Sequence, residues 1–89
     1  MNIGERLEAT LRGANLSPRN LSAVTKVHYT TIYKLKKERR NTFPSVEKTL
    51  SDALDKIGLL ILNGHLPFRD AISDKEKTDR LAMLLAAND

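Results

Sequence analysis

The sequence predicts an all-α fold, a compact bundle of five helices in a single domain over residues 1–89. Apolar residues recur at spacings of three and four, which is the period of one helix face. Side chains suited to capping a helix start stand before most of these periodic segments. No segment alternates apolar and polar residues as a half-buried strand does. A chain of 89 residues has room for one core, so the helices must pack together.

The first helix is predicted to follow Asn2, with Glu5 completing a capping box. Its apolar stripe is Ile3, Leu7, Leu11 and Ala14, and Gly13 with Asn15 supplies the stop. A second, short helix is predicted from Pro18 to about Thr25, capped by Ser17. Leu21 and Val24 of this helix are predicted to point into the core.

The third helix follows a turn at Lys26 and Val27 and is predicted to run from about His28 to Lys37. Ile32 and Leu35 lie three positions apart and are assigned to the core. The opposite side forms one continuous outward face, because its members are linked by steps of three and four. This outward face consists of Tyr29, Thr30, Tyr33, Lys34 and Lys37.

The fourth helix is predicted to begin at Phe43-Pro44-Ser45, with the serine as its cap, and to reach about Leu62. Gly58 leaves open whether this is one helix or a helix with a break. Asn63-Gly64 ends it, and a loop over residues 65–70 is held down by Leu66 and Phe68. A capping box of Ser73 and Glu76 then opens a last helix that runs to about Ala87.

Composition excludes several classes of protein and site. There are no cysteines, so no disulfide and no thiolate zinc site can form. No second histidine or cysteine stands at the spacing from His65 that a metal site needs. The sequence also offers no set of nucleophile, general base and orienting residue that could form a catalytic site. We therefore expect no metal, no cofactor and no enzymatic activity. Without a signal peptide or a membrane-spanning run, we expect a cytoplasmic, nucleoid-associated protein of a prokaryote or a phage.

Positive charge is concentrated on one segment. Residues 26–40 hold six cations and one anion, a net +5, whereas residues 41–89 hold six cations and eight anions, a net −2. A local excess of this kind is the footprint of a protein that docks on a polyanion. A solvated basic face is the alternative, and the position of the charges on the third helix favours the polyanion.

The spacing of Leu21-Ser22, Val27, Ile32 and Leu35 resembles the helix-turn-helix of the phage repressor and Cro family, the λ-repressor-like or XRE type. The flanking helices resemble it as well, including the proline-initiated fourth helix, over residues 3–57. Three positions depart from the family pattern: Lys26 stands at a usual glycine, Thr25 at a usual apolar residue, and Pro18 at a usual glutamine.

This resemblance implies a DNA-binding core over residues 2–62 with a recognition helix at residues 28–37 in the major groove of double-stranded DNA. The residues it implies for base edges are His28, Tyr29, Thr30, Tyr33 and Lys34. Those implied for phosphates are Lys36, Lys37, Arg39 and Arg40, with Ser17 and Arg19 at a helix N-terminus as further candidates.

The C-terminal segment, residues 63–89, is predicted to dimerise the protein. Leu81, Leu84 and Leu85 share a face that could close the monomer's own core or pair with a second chain, and the number of leucines, including those at 59–62, favours a homodimer. Two recognition helices would then read half-sites of an inverted-repeat operator, as in a transcriptional repressor. The alternative is an antitoxin-like or phage accessory protein that binds a second protein, with DNA binding secondary.

Overall fold

A computed structural model describes residues 2–38 and 42–87. Five helices make up its regular structure: α1 (Ile3–Ala14), α2 (Pro18–Thr25), α3 (Tyr29–Glu38), α4 (Pro44–Leu62) and α5 (Asp74–Ala87). No strand occurs in these two ranges, so the all-α prediction is confirmed for the described part of the chain. The helix α4 continues through Gly58 without a break, which resolves the choice that the sequence left open.

Local capping chemistry fixes where most of the helices begin. The Asn2 side chain accepts a hydrogen bond from the amide of Glu5 at 2.9 Å. The Ser73 hydroxyl accepts from the amide of Glu76 at 3.2 Å. Both bonds satisfy amides that have no partner inside the helix. The predicted starts of α1 and α5 are therefore confirmed.

The predicted serine cap of α4 is wrong. The residue at the cap position is Phe43, whose side chain makes no capping hydrogen bond, and Pro44 occupies the first turn. Proline stabilises this start without a side-chain cap, because it has no amide to leave unsatisfied. Ser45 lies inside the helix, where its carbonyl accepts from the Thr49 hydroxyl at 3.0 Å.

One apolar core joins all five helices. The apolar residues that α1 and α3 contribute to this core are the ones that the helical spacing predicted. Leu7, Leu11, Ile32 and Leu35 are each at most 2% exposed. The helix α4 adds its inward stripe, and the loop that follows it adds Leu66. The buried apolar residues are Ile3, Leu7, Leu11, Ala14, Leu16, Leu21, Ile32, Leu35, Leu50, Ala53, Leu54, Ile57, Leu60, Leu66 and Leu81. The helix α3 is thus held from one side only, which leaves its other side to solvent.

The helix α5 packs mainly on α2, with a smaller contact on α4. The contact with α2 centres on Asn20, which is 1% exposed. Its side-chain amide donates to the Asp74 carbonyl at 3.0 Å and to the Thr78 hydroxyl at 2.9 Å. Lys77 donates to the carbonyl of Asn15, the C-terminal cap of α1, at 3.0 Å. The C-terminal helix therefore braces the first helix of the predicted helix-turn-helix.

Leu81 is buried completely inside the single chain. Its prediction as a dimer-interface residue is corrected on this ground, because a side chain without exposed area offers nothing to a partner. Leu84 and Leu85 are half-buried and pack against the same core. In the described residues, no helix is long and apolar enough to cross a membrane.

Candidate nucleic-acid interface

The turn between α2 and α3 is built around Thr25 and Lys26. Lys26 adopts a left-handed conformation, with φ 67° and ψ 8°. That conformation is the one a glycine would take without cost, and it costs another residue about 1–2 kcal/mol. The Thr25 hydroxyl donates to the Leu21 carbonyl at 2.8 Å and accepts from the Val27 amide at 3.3 Å. The Thr25 side chain thus ties the end of α2 to the turn.

The start of α3 is capped by His28. Its carbonyl accepts from the amides of Thr31 and Ile32 at 3.0 and 3.2 Å, and its ring nitrogen Nδ1 accepts from the amide of Thr30 at 3.1 Å. Because Nδ1 is an acceptor, the neutral ring carries its proton on Nε2. His28 is exposed, so this Nε2–H group is a donor at the solvent-facing tip of the helix.

The outward face of α3 is exposed, as the spacing predicts. Tyr29 is 38% exposed and Tyr33 is 49% exposed, whereas Ile32 and Leu35 are buried behind them. Lys34 and Lys37 are exposed as well, and Thr30 is half-buried at the edge. The helix therefore presents aromatic, hydroxyl and ammonium groups together.

Each tyrosine of this face lies against a cation. The Arg19 guanidinium carbon lies 4.3 Å from the centre of the Tyr29 ring, and Lys37 Nζ lies 5.8 Å from the centre of the Tyr33 ring. The His28 ring stacks on Tyr29 with centres 5.4 Å apart and planes inclined by 28°. A guanidinium placed over an aromatic ring gains a cation–π attraction and still carries N–H donors for a phosphate or a base. The start of α2 and the start of α3 are thereby joined into one cationic surface.

A second cationic region lies at the other end of α3. Lys36, Lys37 and Tyr33 line a concavity of about 400 Å³ together with Glu8 of α1. Glu8 forms an ion pair with Arg12 at 2.9 Å. An anion that entered this concavity would meet two ammonium groups and a phenol, with one carboxylate opposing it.

The phosphate-contact candidates are distributed unevenly. Lys36 and Lys37 lie on α3, and Arg19 reaches the same surface from α2. The Ser17 hydroxyl is engaged within α2: it donates to the side-chain oxygen of Asn20 at 3.0 Å and accepts a hydrogen bond from the backbone amide of Asn20 at 3.3 Å. Arg39 and Arg40 lie outside the described residues.

Sequence reasoning missed one residue, Asn20, and one contact, that of Arg19 with Tyr29. Asn20 forms a capping box with Ser17, a pattern visible in the sequence as Ser-x-x-Asn. Its bonds to α5 span 54 and 58 residues and leave no local signal. The stacking of Arg19 on Tyr29 joins two helices, so the spacing along either helix does not reveal it.

The described residues hold no group of three or more histidine, aspartate or glutamate side chains placed to bind a metal ion. Comparison with known proteins finds no protein family, no curated protein and no solved structure that matches this chain.

Proposed function

We propose that this protein is a sequence-specific DNA-binding transcriptional regulator, a repressor that acts as a homodimer on an inverted-repeat operator. The observation that carries the proposal is the outward face of α3, where two exposed tyrosines and two exposed lysines stand over a buried apolar side. A helix has the width that the major groove of B-DNA accepts. Such a face is suited to that groove by both shape and charge.

The side chains of the face have the chemistry that base edges require. Lys34 is an exposed donor able to reach the O6 and N7 acceptors of guanine. The Nε2–H of His28 is a further donor, and the methyl group of Thr30 suits the methyl group of thymine. Lys36, Lys37 and Arg19 supply cations for phosphates, which set the register without reading sequence.

Selection from random double-stranded DNA tests the proposal. Repeated rounds of binding should enrich an inverted repeat with half-sites about one helical turn, ~34 Å, apart. The logarithm of the binding constant should fall linearly with the logarithm of the salt concentration, with a slope of about −0.9 for each phosphate that the protein neutralises. If random sequence remains unenriched although the protein binds DNA, the recognition role of α3 is wrong.

A matched pair of variants separates base contacts from phosphate contacts. Lys34→Ala should relax preference at one base pair of each half-site and reduce specific affinity by about 1–3 kcal/mol. Lys37→Ala, one turn away on the same helix, should weaken all sequences alike and lower the salt slope by about 1. Equal losses on the selected site and on random DNA for both variants would contradict these assignments.

A protein-interaction module is the second candidate, and exposed apolar side chains away from α3 favour it. Leu62 is 82% exposed and Met83 is 73% exposed. Under that alternative the selection would yield no inverted repeat.

A further inference from the structure

The side chain of Arg19 is held by an aromatic ring and not by a carboxylate. Its guanidinium carbon lies 4.3 Å from the centre of the Tyr29 ring, well inside the range of about 6 Å over which such a contact attracts. The contact joins the start of α2 to the start of α3. Arg19 is exposed and donates no hydrogen bond to another described residue, so its N–H groups remain available to a ligand.

The arginines that form ion pairs in the described ranges are committed elsewhere. Each of them lies against an aspartate or a glutamate, so its charge is already balanced. They are Arg6, Arg12 and Arg80. No described residue supplies Arg19 with such a partner. The contact with Tyr29 therefore orders this arginine and leaves its charge for an anion.

Both ends of the contact are fixed to the fold. Asn20, next to Arg19, is buried and bonded to α5, which holds the backbone at the start of α2 in place. The Tyr29 ring stacks on the His28 ring, with centres 5.4 Å apart, and Nδ1 of His28 accepts from the Thr30 amide at 3.1 Å. An arginine that lies on a ring fixed in this way gives up less freedom when it binds a ligand.

A DNA phosphate is the ligand that this arrangement suits best. In a helix-turn-helix the first helix crosses the sugar-phosphate backbone while the second enters the major groove. A cation on α2 would therefore lie on the backbone side. A guanidinium binds a phosphate through two parallel N–H···O bonds, so the direction in which it points matters. The ring of Tyr29 can supply that direction.

We propose that Tyr29 acts as a positioning residue: its ring orients Arg19 toward a backbone phosphate and reads no base itself. The proposal rests on the proposed DNA-binding function and deepens it. It replaces the base-edge role that the family resemblance implies for Tyr29. The bond between Arg19 and the backbone would help to set the register in which Thr30 and Lys34 meet the base edges.

A double-variant cycle on DNA binding tests the proposal. Tyr29→Leu removes the ring and should weaken binding to random duplex DNA about two- to fivefold, which is the value of an exposed cation–π contact. Arg19→Ala should weaken it about tenfold and reduce the steepness of the salt dependence by about 0.9. In the Arg19→Ala background, Tyr29→Leu should have no further effect, because the ring then has nothing to position.

Tyr29→Phe and Arg69→Ala are the matched controls. Phenylalanine keeps the aromatic face and lacks the hydroxyl, so Tyr29→Phe should bind DNA within about twofold of the wild type. Arg69→Ala removes an exposed arginine from the loop after α4. It changes the net charge as Arg19→Ala does and should leave the salt slope unchanged.

Sequence preference separates positioning from base reading. Because phosphate contacts carry no sequence information, Tyr29→Leu should weaken the selected site and random duplex DNA by the same factor for each bound copy. A hydroxyl that reads a base would make Tyr29→Phe lose affinity for the selected site alone. A loss in Tyr29→Leu that persists without Arg19 would place the ring itself on the DNA. Either result overturns the proposal.

The contact is also read in the free protein. The ring current of Tyr29 should shift the NMR signal of the Arg19 Nε–H proton, and this shift should persist in Tyr29→Phe and vanish in Tyr29→Leu. The same spectra show whether each variant is folded. A wild type without the shift overturns the positioning role even if it binds DNA. A wild type that shows the shift but binds no duplex DNA overturns the proposed function, and the phosphate role of Arg19 with it.

Discussion

The helices α3 and α5 are attached to the same molecule in different ways. The helix α3 is held by the buried Ile32 and Leu35, and its polar side chains remain available on the opposite face. The helix α5 buries Leu81 alone; its first turns accept hydrogen bonds from Asn20 of α2, and Lys77 donates to the carbonyl of Asn15 at the end of α1. The helix α3 therefore keeps Tyr33, Lys34 and Lys37 exposed, whereas α5 uses polar groups of its first turns to attach itself to the rest of the molecule.

The largest expected effect tests whether α5 belongs to the monomer's core. Leu81→Ala should lower the free energy of unfolding by about 2–5 kcal/mol, because it leaves a cavity in a fully buried site. The control is Met83→Ala on the same helix, which should change it by no more than about 0.5 kcal/mol. Urea unfolding followed by circular dichroism measures both. Similar losses for the two variants would mean that α5 does not pack as described.

The next effect tests the polar attachment of α5. Asn20→Ala should lower the free energy of unfolding by about 1–3 kcal/mol, because the partners of the buried amide lose their hydrogen bonds. Thr78→Val removes the hydroxyl that Asn20 contacts at 2.9 Å. The double variant should lower the free energy of unfolding by less than the sum of the two single changes, because both substitutions remove the same hydrogen bond. Strict additivity in urea unfolding would show that the two side chains do not interact.

The smallest effect concerns the turn that leads into α3. Lys26→Gly should raise the free energy of unfolding by up to about 1 kcal/mol, because glycine adopts positive φ without steric cost. Lys26→Ala keeps the Cβ atom and should gain nothing, so it isolates the backbone effect from the loss of charge. Thermal unfolding distinguishes the two. An equal gain in both variants would assign the effect to the lysine side chain.

Patterns within one helix were predictable, and contacts between helices were not. The periodic apolar residues and the caps at Asn2, Ser17 and Ser73 gave the helix boundaries, because they act through neighbours in sequence. The outward face of α3 followed from the same periodicity. The cap of α4 was misassigned because proline and serine both favour a helix start, and only the backbone shows which residue takes the first turn.

The role of α5 could not be read from its residues. A leucine face on a terminal helix serves equally well to complete a monomer's core or to bind a partner, and the difference depends on what lies opposite. Here α2 lies opposite, and Leu81 is buried within the chain. The contact of Arg19 with Tyr29 could not be predicted either, because it depends on how α2 and α3 pack against each other.

The bonds of Asn20 to Asp74 and Thr78 have a consequence for how the molecule opens. The helix α2 has eight residues, fewer than the ~12–15 that an isolated helix needs in water. Its stability therefore depends on tertiary contacts, and the contact with α5 supplies part of them. We expect release of α5 to lower the protection of the α2 amides from hydrogen exchange, although more than 50 residues separate the bonded side chains.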